Sequence, residues 1–167
     1  MNLFENGINL NMSKYNVEPI TADVSHDAGT FACLKLDPDQ AEFIAHWCQE
    51  HGIPCQDPHD LHCTVLSSEQ GCPELQQFDG MRFNIPAKVM GYKQMGPALA
   101  LELECPGSHR LHKLLMKNTK ATYNWPSFIP HMSLYYGDDQ EFPERFPLSE
   151  INFVEMQIMP LDLNFSN

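Results

Sequence analysis

One order of elements occurs twice in this chain, and that repetition limits its fold more than any other feature. Residues 30–36, TFACLKL, read as a buried strand, and Asp37-Pro38-Asp39-Gln40 then announces a helix. Asp37 is placed to cap, Pro38 suits the first helical position, and Gln40 stands at the capping-box spacing. Phe43, Ile44, Trp47 and Cys48 fall on one helical face, and Gly52 supplies the stop. A short loop leads to a second strand, Leu61-His62-Cys63-Thr64-Val65-Leu66. The second half repeats the order. Residues 97–105, PALALELEC, form a strand, and Pro106-Gly107-Ser108 opens a helix with a Leu111, Leu114 and Leu115 stripe. A loop through Tyr123-Asn124-Trp125-Pro126 reaches Ile129-Pro130-His131-Met132-Ser133-Leu134. His62 lies 24 residues after Pro38, and His131 lies 25 after Pro106.

Two units of this kind predict a single α+β domain over 1–167. It consists of two pseudo-twofold-related lobes, approximately 30–90 and 97–160. Each lobe is a mainly antiparallel sheet with a helix on its outer face, and a cleft lies between them. Two further strands are expected at 82–90 and 151–159, the first joined to the His62 strand by the polar stretch 67–80. Residues 1–29 read as an arm or an added edge strand.

The chemistry lies in the two histidine-bearing strands. Alternate side chains of a strand point the same way, roughly 6.5–7 Å apart for residues i and i+2. His62 and Thr64 therefore share one face while Leu61, Cys63 and Val65 pack on the other. His131 and Ser133 repeat this against Met132 and Leu134. One such motif is an ordinary strand histidine. Two, each closing the same unit, put two imidazoles and two hydroxyls on one cleft if a twofold axis joins them. That set suits metal-free cleavage of a phosphodiester. One neutral histidine takes a proton, one imidazolium gives a proton, and the hydroxyls donate to the non-bridging oxygens. The pseudo-symmetry leaves open which histidine is the base.

Composition removes competitors. Ten basic residues face twenty-two acidic ones, a net charge of −12, so no Lys/Arg field exists to hold a long nucleic acid. No apolar run approaches a membrane span, and the start of the chain lacks the features of a secretory signal. The six cysteines carry no C-x-x-C pair and read as reduced thiols of a cytoplasmic protein. Cys63 lies on the packed face, which argues against a nucleophilic thiol. His59 with His62, and His109 with His112, are the close histidine pairs. The second pair has no carboxylate or cysteine placed to complete a metal set, so neither metal nor cofactor is expected.

His62-Cys63-Thr64-Val65 and His131-Met132-Ser133-Leu134 resemble the twin signature of the two-histidine (2H) phosphoesterase superfamily, over roughly residues 30–160. Serine for threonine in the second copy keeps the donor. Length, the 69-residue gap between histidines and acidity most resemble the phage anti-CBASS nucleases, which linearise cyclic di- and trinucleotides of bacterial defence. The resemblance implies a metal-independent phosphodiesterase in the host cytoplasm, with a small cyclic oligonucleotide as its partner. A ribose 2′-hydroxyl would attack the adjacent 3′–5′ bond, with His62 and His131 as the acid–base pair and Thr64 and Ser133 as phosphate donors. Alternatives are a 2′,3′-cyclic phosphodiesterase or 2′–5′ oligonucleotide phosphodiesterase of the same superfamily, and a protein that sequesters the nucleotide. Tyr92 and Trp125 are candidate surfaces for stacking a base, against the alternative that each packs on its own lobe. Glu155 is a candidate acceptor for an exocyclic amine or an edge carboxylate, and Lys93 a phosphate contact or a surface lysine.

Overall fold

The structure, a computed structural model, describes residues 25–137 and 145–161. Within them the elements run β1 (Thr30–Leu36), α1 (Pro38–Glu50), β2 (His62–Ser68), β3 (Arg82–Met95), β4 (Ala98–Glu104), α2 (Pro106–Asn118), β5 (His131–Tyr136) and β6 (Glu150–Pro160). Short 3-10 turns occupy Pro58–Asp60 and Pro73–Phe78. The expected edge strand or arm lies mostly outside the described residues; what is seen of it is a turn at residues 25–29.

Local chemistry sets the helix starts. Asp37 Oδ2 accepts from the Gln40 amide at 3.1 Å, as an N-cap should. The Gln40 side chain does not close a capping box; its Oε1 accepts from the amide of Asn152 at 2.7 Å and ties α1 to β6. Cys105 caps α2 without a side-chain bond, and Pro106 follows in the first turn. The buried face of α1 is Ala41, Ile44, Trp47 and Cys48, whereas Phe43, expected among them, is 49% exposed. Position 43 is one residue, about 100°, away from Ile44, enough to put its ring at the margin of the stripe.

All strand pairs are antiparallel, in the ring order β1-β2-β5-β4-β3-β6. The α+β class is therefore as expected, but the two sheets are joined into one closed sheet. The lobes are also not contiguous in sequence. β3 pairs with β4 and β6, and β6 with β1 and β3, so one half is β6-β1-β2 and the other β3-β4-β5. Periodicity marks a segment as a strand but does not choose its partner, and each long strand crosses to the half it was not expected to join.

The halves agree in register as well as order. The β1–β2 ladder slips between Ala32 and Cys33, and the β4–β5 ladder slips between Leu99 and Ala100. Cys33 stands opposite Thr64 as Ala100 stands opposite Ser133, and Lys35 opposite His62 as Glu102 opposite His131. A shared bulge at matching positions supports duplication beyond the spacing of the motifs.

One apolar cluster fills the space between sheet and helices. Leu34, Cys63, Val65, Leu101, Leu103, Met132 and Leu134 from the strands meet Ile44, Trp47, Leu111 and Leu115 from the helices. This backing holds the opposite face of β2 and β5 rigid. Among the described residues no helix is long and apolar enough to cross a membrane.

Candidate active site

The site is built where the two halves touch. Among the described residues β2 and β5 pair at one position, Cys63 with Met132, both fully buried. Antiparallel pairing there sets His62 across from Ser133 and Thr64 across from His131. All four are half-buried, while their neighbours Cys63, Val65, Met132 and Leu134 are buried, so the four share the face away from the core. Two imidazoles and two hydroxyls thus meet on one face at the seam, each imidazole across from a hydroxyl.

Beyond that contact the strands are held from outside the ladder. On β2 the carbonyl of Val65 accepts from Nδ1 of His112 at 2.7 Å. On β5 the carbonyls of Ser133 and Leu134 accept from the side chain and the amide of Gln56, at 2.7 and 2.8 Å. Groups from the helical layer and the loop before β2 therefore satisfy strand carbonyls beside the site.

Both imidazoles are oriented alike. His62 Nδ1 lies 2.5 Å from the carbonyl of Asp60, and His131 Nδ1 lies 2.8 Å from the carbonyl of Ile129, each two residues back. A carbonyl only accepts, so Nδ1 carries a proton in each ring, and Nε2 is the nitrogen left to exchange one. Burial lowers the pKa of His62 from its ordinary value; the bond to the Asp60 carbonyl opposes this, and the charges of Lys35 and His131 lower it further. The two histidines are thus near enough to feel one another. The ring of Phe31 meets His62 edge-on at 5.8 Å.

The four motif residues are brought together; the other candidates fare differently. Tyr92 stands opposite buried Leu101, on the core-side face of β3, and packs against that cluster with an edge contact to Phe146 at 6.4 Å. A bulge between Val89 and Gly91 sets Gly91 opposite Glu102 and Tyr92 opposite Leu101, so the ring lies on the face away from His131. Trp125 is 55% exposed, its ring edge-on to Tyr123 at 5.2 Å. Glu155 stands opposite Lys35 on the face that carries His62 and makes an ion pair with Arg82 at 3.9 Å. Lys93 pairs with Glu102 at 3.8 Å, so its charge already has a carboxylate partner. His112 is a half-buried residue of α2 that joins the helix to β2 and stacks on Phe128 at 4.4 Å. Burial pushes the Cys63 thiol up, in keeping with a packing role. Among the described residues no group of three or more His, Cys, Asp and Glu could hold a metal ion.

Sequence reading missed Lys35 and Glu102, the residues directly opposite the two histidines. A signal was available. Lys35 is the charged residue of TFACLKL, and Glu102 and Glu104 are the charged residues of ALALELE.

Comparison with known proteins follows the same line. A family model described as "Anti-CBASS protein Acb1" matches residues 28–167. No curated protein matches. Among solved structures, Escherichia coli LigT complexed with 3′-AMP is similar at 17% identity and a TM-score of 0.57, covering 77% of this chain and 85% of that one. LigT complexed with ATP gives 15% identity and a TM-score of 0.54, covering 83% and 96%. A structure described as a phosphoesterase gives 18% identity and a TM-score of 0.57, covering 77% and 85%. These likenesses show that the chain shares its fold with LigT and with that phosphoesterase.

Proposed function

The chain belongs to the anti-CBASS protein Acb1 family, and from that premise we propose that it is a phosphodiesterase that antagonises CBASS by cutting 3′–5′ bonds of small cyclic oligonucleotides. The observation that carries this is the pairing of Cys63 with Met132, which puts His62, Thr64, His131 and Ser133 on one face. In the proposed reaction the ribose 2′-oxygen forms a bond to the adjacent phosphorus as the bond from phosphorus to the 5′-oxygen breaks. One Nε2 accepts the 2′-hydroxyl proton, and the other donates a proton to the departing 5′-oxygen. Thr64 and Ser133 donate to the non-bridging oxygens, where charge accumulates. The resulting 2′,3′-cyclic phosphate can then open with water to a 3′-phosphate. Proton transfer and charge stabilisation are both supplied by these four side chains, so the proposed reaction needs no metal ion. The neighbour LigT has been crystallised with 3′-AMP, with ATP and with phosphate, ligands that share phosphate groups with the substrate proposed here. The proposed site of action is the bacterial cytoplasm, where such a signal would be met.

The test is incubation with a panel of cyclic di- and trinucleotides, with and without EDTA, followed by mass analysis. Linear products ending in cyclic phosphate or 3′-phosphate, formed equally in EDTA, are expected. Cleavage confined to 2′,3′-cyclic phosphates or 2′–5′ oligonucleotides would replace the substrate assignment. Tightly bound but intact nucleotide, recovered after denaturation, would leave a sequestering protein instead of an enzyme.

A further inference from the structure

Pseudo-symmetry makes the two histidines interchangeable, yet the residues beside them are opposite in charge. Directly opposite His62 on β1 is Lys35, and beyond Lys35 come Glu155 on β6 and Arg82 on β3. Directly opposite His131 on β4 is Glu102, which pairs in turn with Lys93 on β3. Each row alternates in sign, and the second is one residue shorter. A cation therefore stands next to His62 and a carboxylate next to His131. The remaining groups facing His62 are Phe31 on β1, Ser133 and His131 across the seam, and Asp60, whose charge favours the protonated ring against the larger opposing effects. Those facing His131 are Thr64 and His62 across the seam and the Ile129 carbonyl. The Lys35 ammonium also donates to the carbonyl of His59, which fixes its place beside the His62 strand.

The geometry points to Lys35 and Glu102 as positioning residues that break the symmetry of the site, holding His62 as the base for the 2′-hydroxyl and His131 as the acid for the 5′-oxygen. A cation beside an imidazole disfavours its charged form, so His62 is kept ready to accept a proton. Glu102 stands opposite His131 where Lys35 stands opposite His62, so the two rings meet neighbours of opposite charge. The roles reverse when the cyclic phosphate opens. His62, then protonated, returns its proton to the 2′-oxygen, and His131 takes one from water. The histidine pair alone does not encode this direction; the two side chains beside it do.

The inference rests on the cleavage reading, and the closing experiment separates the two. With the parent protein cutting a cyclic dinucleotide, pH–rate profiles are compared for Lys35→Met, Lys35→Arg and Glu102→Gln. Lys35→Met should move the acid limb to higher pH by about half a unit or more, and Lys35→Arg should restore it. Glu102→Gln should move the alkaline limb to lower pH. A Lys35→Met protein whose alkaline limb moves instead would reverse the assignment, and unchanged profiles in both variants would remove it. A second measurement does not depend on these variants folding. In a cyclic dinucleotide with sulfur in place of the bridging 5′-oxygen, the leaving group needs no acid. There the His131→Ala deficit should shrink to under ~10-fold while His62→Ala stays down by ~100-fold or more. Equal rescue of both overturns the inference. A parent protein that leaves every cyclic nucleotide intact refutes the functional reading itself.

Discussion

Replacing His112 by alanine tests whether the helical layer holds the His62 strand in place. His112 Nδ1 donates to the Val65 carbonyl at 2.7 Å, one residue past Thr64, and its ring stacks on Phe128 at 4.4 Å and 9°. Losing the hydrogen bond costs about 0.5–1.5 kcal/mol, and losing the aromatic contact about as much again. The sum, about 1–3 kcal/mol, corresponds to a fall in Tm of roughly 2–12 °C for a domain of this size. Urea and thermal denaturation of His112→Ala read it directly. His112→Asn places an amide donor near the position of Nδ1 but has no ring to stack, so it should fall between parent and alanine variant. The pH dependence adds a sign. Burial lowers the His112 pKa from 6.5, the Val65 bond opposes this, and His109 lowers it further. The folded state thus binds this proton less readily than the unfolded chain. The stabilisation is complete above pH 6.5 and declines as pH falls through the lowered value, so parent and alanine variant should draw together in acid. An alanine variant within about 0.5 kcal/mol of the parent at pH 7.5 would refute the reasoning.

His62→Ala and His131→Ala should each lose at least ~100-fold in rate, with Thr64→Ala and Ser133→Ala slowed less, as steady-state assays on the cleaved nucleotide will measure. Near-full activity in both histidine variants would overturn the site. A 2′-deoxy cyclic dinucleotide should bind and stay intact, because it lacks the internal nucleophile; its cleavage would point to attack by water. The Tyr92 ring packs on the core cluster, so Tyr92→Ala should lower Tm and leave KM for the nucleotide unchanged. A large rise in KM without loss of stability would restore Tyr92 as a base contact.

How much of the site was legible depends on whether the information is local. His62 with Thr64, and His131 with Ser133, were readable because alternation along a strand is a property of the strand itself. The cap at Asp37 and the helix start at Pro106 were readable for the same reason. Phe43 was misplaced by one residue's turn around a helix, and of the two readings left open for Tyr92 the packed one follows from a bulge in β3. Pattern matching does not see either, because a bulge is paid for in the partner strand's register.

By itself, the sequence determined that two strand–helix–strand units exist, that each ends in an imidazole beside a hydroxyl, and which face of each strand is apolar. These follow from periodicity and from side-chain chemistry. The tertiary structure alone decided that β3 and β6 exchange halves, that β2 meets β5 at Cys63 and Met132, and that Lys35 and Glu102 stand opposite the two histidines. Those are pairings between residues tens of positions apart, set by which register buries the most apolar surface at once. No short window of sequence contains that sum.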